Sequence, residues 1–428
     1  MSEIKDYVVY PDSVQKYNTS QPPIKQKEGY RKAAYIASNL VLRCIRGGYK
    51  IEKINMEGLK PPYFLFCNHM QFVDFCLSFK ATHPYKVNNI ATLDGYVGMD
   101  KIMENLGCIC TRKFTTDISL IRSCKKVLEE YGDILCMYPE ARYTPIGTTS
   151  IIPDVVGKLV KKFKVPVVIM IHHGNYLNAP YWDFRNYRKT PFHSVMKQVL
   201  TVEQIEKLSI DEINEIIQKE FQYDDHRWQK ENNIIIDKPT RAQGLHRMLY
   251  QCPHCKAESK MKSEGIHIWC ENCGKKWEYT TLGELKALDG ETEFSHVPDW
   301  YEWQRANVRQ ELLDGNYHFE DDVHIHSLPG VEYVDLGEGK LIHDMTGFTV
   351  RGHYNNNDFE IHRPAKGLYS VHVDYAFKKL GKVDVIDVSV KDDSFYCIPK
   401  KDNVITKMSL ATEELFKILN EKKPANND

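Results

Sequence analysis

The sequence predicts an α/β fold with a mostly parallel sheet and flanking helices. A cysteine-paired ribbon follows, then a small antiparallel β-domain closed by a C-terminal helix. Three observations carry this. Between Tyr49 and Ile171, short apolar runs alternate with segments of helical period, as strands joined by crossover helices do. Two Cys-x-x-Cys pairs sit close together in the middle of the chain. Beyond Tyr317 the apolar period switches to two.

Taken in order, residues 1–27 read as an extended or weakly ordered arm, with Gln21-Pro22-Pro23 stopping any helix. From Glu28 to Gly47 the apolar residues Tyr30, Ala34, Ala37, Val41 and Ile45 recur at helical steps among basic ones. This segment suits either packing on the core or a membrane interface. Strands are expected at Tyr49–Met56, Tyr63–Cys67, Lys86–Thr92, Asp133–Tyr138, Val165–Ile171 and Ser194–Val202. Helices are expected after Asp74, over Tyr96–Leu106, Ile118–Tyr131 and Val155–Phe163, and over Ile210–Gln222 with Ser209 as N-cap. Trp228–Leu249 reads as a connecting segment. The whole of 28–240 is one expected domain, followed by a ribbon over 241–282, a helical connector over 283–316 (Leu282–Leu288, then Trp300–Leu313) and a β-domain over 317–428. In that last unit the expected strands are Val323–His326, Val331–Val334, Lys340–His343, Gly347–Val350, Phe359–His362 and Val383–Val390, with a helix at Leu410–Leu419.

The composition narrows the function. Apolar residues make up 42% of 428, enough for real cores, and the net charge of -1 argues against a whole-chain polyanion binder. No nucleic-acid partner is expected. No stretch approaches the roughly 18–20 apolar residues of a membrane span, and the first residues lack a signal-peptide core. The expected place is the cytoplasm, peripheral at the inner face of the membrane.

Of 12 cysteines, four stand in two tight pairs: Cys252 with Cys255, and Cys270 with Cys273. Four thiolates at this spacing fill a tetrahedral coordination sphere, so one structural Zn2+ with no open catalytic position is expected. His324 and His326 share a strand face, a spacing that suits a metal but is also common among packed or surface histidines.

The chemical centre is the stretch from Pro62 to Asp74. An apolar run ends at Asn68 and His69, and Asp74 follows five residues later. A strand would deliver His69 to its carboxyl end, where open α/β sheets place their chemistry, with Asp74 in the first turn of the next helix. A carboxylate on one imidazole nitrogen fixes the tautomer and frees the other as a base. Three further blocks follow: Gly107 to Ile109 leading to Arg112 and Lys113; Pro139-Glu140-Ala141-Arg142; and Val165-Pro166 opening a β-branched strand.

Together the four blocks, in this order, resemble the glycerolipid acyltransferase family, of which lysophosphatidate acyltransferase is the best-known member. The resemblance covers about a third of the chain. It departs from the family pattern in two places. Lys113 stands where the second block normally has its arginine, with Arg112 one place earlier. In the third block alanine replaces glycine at Ala141, and Arg142 comes one place early. The resemblance implies an acyltransferase-type sheet and a peripheral enzyme of phospholipid biosynthesis. Such an enzyme would move a fatty acyl group from acyl-CoA or acyl-carrier protein to a lysophospholipid, with lysophosphatidate-like acceptors foremost. His69 would be the general base and Asp74 its orienting partner. Arg112, Lys113 and Arg142 are candidates for the acceptor phosphate, and Glu140 for its free hydroxyl or for bracing Arg142. The alternative is a catalytically degenerate lipid-binding adaptor whose ribbon recruits partners. The β-domain looks pleckstrin-homology- or GRAM-like in architecture only.

Overall fold

Seven strands make the first sheet: β1 (Tyr49–Ile54), β2 (Phe64–Cys67), β3 (Val87–Thr92), β4 (Ile109–Thr111), β5 (Ile134–Met137), β6 (Val167–His173) and β7 (Phe192–Leu200). The computed structural model describes residues 8–115, 117–183 and 186–421. The strand order is β1-β7-β6-β2-β5-β3-β4. β6, β2, β5, β3 and β4 run parallel, β7 is antiparallel to β6, and β1 pairs parallel with β7. The sheet is therefore mostly parallel, with a reversed pair at one edge. β2 is buried at every position. It is covered on both faces, so it reads as an unbroken apolar run rather than an alternating one.

The helices that cover this sheet follow the sequence closely. Glu28–Arg43 packs against Val73–Thr82. Ile118–Lys125 continues as a π-helical turn over Lys126–Tyr131. Ile210–Glu220 starts at Ser209 in a reciprocal capping box with Glu212.

The ribbon is a four-stranded antiparallel sheet of β8 (Met261–Glu264), β9 (His267–Cys270), β10 (Lys276–Tyr279) and β11 (Leu285–Ala287). Here one expectation is corrected. The stretch Leu282–Leu288 is not helical: β11 pairs with β10 and belongs to the ribbon. The helix that follows is Val297–Leu313. The connecting passage after Trp228 also holds more structure than expected, since Trp228 lies in a helix, Asp225–Glu231.

The third sheet is antiparallel, built from β12 (Phe319–Ser327), β13 (Val334–Asp344), β14 (Gly347–Tyr354), β15 (Asn357–Pro364), β16 (His372–Phe377), β17 (Val383–Ser389) and β18 (Ser394–Pro399). Its order is β15-β14-β13-β12-β18-β17-β16, and the helix Ile405–Asn420 follows. The expected strand Val331–Val334 is corrected: only Val334 is in a strand, as the first residue of β13, which also takes in Lys340–His343, and β16 and β18 are additions.

One apolar cluster runs through all three units, from Phe64 and Phe66 through Trp277 and Trp300 to Phe348 and Leu415. The described part of the arm, expected to be weakly ordered, is tied down. Val8 is buried in that cluster. The Tyr10 hydroxyl donates to Ser327 Oγ at 2.7 Å, Tyr17 N–H donates to Pro329 O at 3.0 Å, and the Gln26 amide donates to Val87 O and Leu106 O at 3.1 and 2.9 Å. The sequence hides this because every one of these partners is distant in the chain.

Candidate active site

Strand β2 delivers His69 to the carboxyl ends of β6, β2 and β5, the middle of the seven-stranded sheet. Asn68 secures the exit. Its side-chain oxygen accepts from His172 N–H at 2.8 Å and its amide donates to His172 O at 3.0 Å, extending the β2–β6 pairing past the end of β2. The chain then turns, and Asp74, second residue of the helix Val73–Thr82, closes the turn by accepting from Met70 N–H at 2.6 Å and Gln71 N–H at 2.9 Å.

The same carboxylate oxygen lies 3.1 Å from His69 Nδ1. The other accepts from the Asn175 amide at 2.6 Å. Burial works to raise the Asp74 carboxyl, but the His69 ring, the nearby His172 and the Gln71 N–H outweigh it and hold it below the usual carboxylate range. An ionised Asp74 on Nδ1 makes Nδ1 the protonated nitrogen and leaves Nε2 to accept a proton. The ring stacks on Tyr138 at 3.9 Å between centroids and meets Tyr143 at 4.2 Å. Its side chain keeps 21% of its exposure, so the dyad is anchored yet reachable. Asn175, Tyr138 and Tyr143 were not singled out in the sequence. The two tyrosines flank the third block and could have been found there. Nothing local marks Asn175.

The other expected site residues lie elsewhere in the hydrogen-bond network. Glu140, at the end of β5, is buried and accepts from Ser150 N–H at 2.5 Å and from the Tyr223 hydroxyl at 2.9 Å. Burial pushes its carboxyl up to about 7, against the pull of these two donors and Arg142. Ala141 adopts φ +55°, a left-handed backbone that favours glycine. Ala141→Gly is therefore expected to stabilise the fold by about 1 kcal/mol, read as a higher midpoint in thermal unfolding. A lower midpoint would mean that the methyl group makes contacts worth more than the strain.

The three candidate phosphate cations are each engaged by protein groups. Arg112 is buried and donates to Leu328 O at 2.8 Å, Pro329 O at 3.1 Å, Asp392 O at 3.0 Å and Ser394 Oγ at 3.1 Å. Lys113 lies 2.9 Å from Asp94 and 3.8 Å from Asp387. Arg142 forms an ion pair with Glu413 and donates to Ser409 Oγ at 3.0 Å. Arg112 and Arg142 bond to groups of the C-terminal unit, and Lys113 bridges to it. The structure brings His69 and Asp74 together and turns these three toward the β-domain and its closing helix.

The four ribbon cysteines converge. Cys252 Sγ lies 3.8 Å from Cys273 Sγ, and Cys255 Sγ lies 3.7 Å from Cys270 Sγ. Tetrahedral thiolates at a zinc–sulfur bond of about 2.3 Å stand about 3.8 Å apart, so the donor set fits the ion. Two matching turns present them. Lys256 N–H bonds to Cys252 O and Gly274 N–H to Cys270 O, both at 2.9 Å, and Lys256 and Gly274 both have positive φ. His254 instead faces Glu293 at 3.3 Å. Chelation is expected to raise hydrogen–deuterium exchange across β8–β11 while β2, β5 and β6 stay protected. Unchanged exchange in the ribbon would mean that the four thiols need no metal to hold their fold.

No protein-family model matches the chain, and no curated protein does. Among solved structures, a similar one is the crystal structure of the 1-acyl-sn-glycerophosphate (LPA) acyltransferase PlsC from Thermotoga maritima. Identity is 15% and the TM-score 0.37, with 45% of this chain and 78% of that chain covered. A likeness this loose speaks to neither substrate nor mechanism.

Proposed function

We propose that the protein is a peripheral-membrane acyltransferase that moves a fatty acyl group from acyl-CoA or acyl-carrier protein to the hydroxyl of a lysophospholipid. The observation that carries this reading is the His69–Asp74 dyad at the exit of the central strand, with both oxygens of Asp74 satisfied and one imidazole nitrogen left to act. His69 Nε2 takes the proton of the acceptor hydroxyl as its oxygen attacks the thioester carbonyl. The tetrahedral intermediate then collapses, the carbon–sulfur bond breaks, and the thiolate leaves with a proton from the imidazolium. Thioesters are already activated, so no covalent enzyme intermediate is needed.

The membrane surface enters through exposed apolar groups. Ile36 and Leu40 on the helix Glu28–Arg43 are more than half exposed, and so is Phe72, between His69 and Asp74. Among the described residues no helix is long and apolar enough to cross a membrane. The inner face of the membrane is the proposed location. The test is a screen of purified protein on lysophospholipids with either donor, read by mass detection of diacylated product.

A second reading is favoured by one specific observation. Arg112, Lys113 and Arg142 are held by the protein itself, so a degenerate adaptor that binds lipid without turnover is the alternative. Turnover on any lysolipid excludes it.

A further inference from the structure

We propose that His324, His326 and Asp335 form a second metal site, which takes a borderline divalent cation of the zinc class on two imidazoles and one carboxylate. The site lies on β12 and β13, apart from the four cysteines and independent of the acyl-transfer reading.

Strand register brings the three residues together. His324 and His326 are two residues apart on β12, and their ring centroids lie 4.9 Å from each other. Across the ladder, His324 pairs with Glu338 and Ile325 with Gly337, so regular pairing would set Leu336 opposite His326. Instead the register slips between Ile325 and His326, and His326 pairs with Asp335. A bulge of this kind re-aims side chains. Leu336 is buried, and a carboxylate stands beside the two histidines in its place. One ligand atom from each of His324, His326 and Asp335 lies within 4.8 Å of the others.

The hydrogen bonds fit a metal. His324 Nδ1 lies 3.1 Å from Glu338 Oε1, and its Nε2 lies 2.8 Å from Asp335 Oδ1. If Nδ1–H donates to Glu338, a lone pair on Nε2 faces a carboxylate oxygen, a repulsion that a cation bound beside them to both atoms relieves. Tetrahedral ligands about 2.0–2.1 Å from one zinc-sized ion stand about 3.3–3.4 Å apart, so Nε2 and Oδ1 part by about half an ångström to admit it. Glu338 then acts as the outer acceptor that fixes the imidazole tautomer. A proton on His324 would relieve the same repulsion, but it gives His326 no part. Two nitrogens and one oxygen suit zinc, nickel, copper or iron better than magnesium or calcium.

The experiment is a zinc titration of metal-stripped full-length protein, counted by native mass spectrometry at a several-fold molar excess. Wild type is expected to take two equivalents, and His326→Ala and Asp335→Asn one. Glu338→Gln is expected to keep two, with the weaker bound about 10–100-fold less tightly. Cobalt identifies which site remains, because thiolate-to-cobalt absorption reports the cysteines and must survive in His326→Ala. Both histidines are partly exposed on a sheet face, so these variants should fold, and that retained absorption confirms it. Wild type that stops at one equivalent, or His326→Ala that still holds two, overturns the proposal.

Discussion

His69→Ala is expected to lower acyl transfer about a thousandfold while leaving the fold intact. A positioned general base contributes roughly 10²–10⁴-fold, and alanine removes the imidazole that Asp74 orients through Nδ1. The side chain is partly exposed, so its loss opens no deep cavity. Thermal unfolding should therefore move little while the rate collapses. Wild-type turnover in this variant would remove His69 as the base. Asp74→Asn is a poorer test, because the carboxylate accepts from the Met70 and Gln71 N–H groups and the Asn175 amide as well as facing His69. An asparagine amide would set donor against donor, mixing lost orientation with lost structure.

Glu413→Ala is expected to cost about 3–5 kcal/mol, the range for breaking a buried ion pair from one side. Glu413 is buried and pairs with Arg142 and with Arg305 at 2.6 Å, while Ser370 Oγ donates to it at 2.9 Å. Its removal leaves two guanidinium groups without that carboxylate. A proton should have a similar effect. Burial works to raise the Glu413 carboxyl, but Arg142 and Arg305 hold it down to about 2, below its ordinary value near 4.5. Its contribution is thus fully present above about pH 4.5. It is lost as pH falls from there through about 2, for a total of about 3 kcal/mol. Urea unfolding across that window should steepen in wild type and flatten in Glu413→Ala. Equal pH dependence in the two proteins would show that Glu413 carries no such linkage.

The dyad was legible because it is local: five residues separate His69 from Asp74, and a strand exit followed by a helix start brings them together. The cysteine pairs were legible for the same reason. The fate of the cations was not. Arg112 is recognisable as a basic residue after a glycine-led strand, but its acceptors come 216 and more positions later, and Glu413 follows Arg142 at a comparable distance. Hydrophobic period carries no record of such pairings. It failed on β11 because three residues are too few to show a period. It failed on β16 because an irregularity between Asp374 and Phe377, with Ala376 at φ +49°, interrupts the alternation. β18 is buried along most of its length and so does not alternate.

The arm that ties residues 8–26 to the rest also sets an order of events during synthesis. Tyr10 leaves the ribosome well before its partners: Ser327 lies 317 positions downstream and Asp393 lies 383. Translation runs at about 5–20 residues per second, so the arm waits some tens of seconds for its acceptors. Until then the Tyr10 hydroxyl lacks both of these partners. The parallel sheet can assemble early, but the molecule is fastened only when its third sheet emerges and reaches back to the arm.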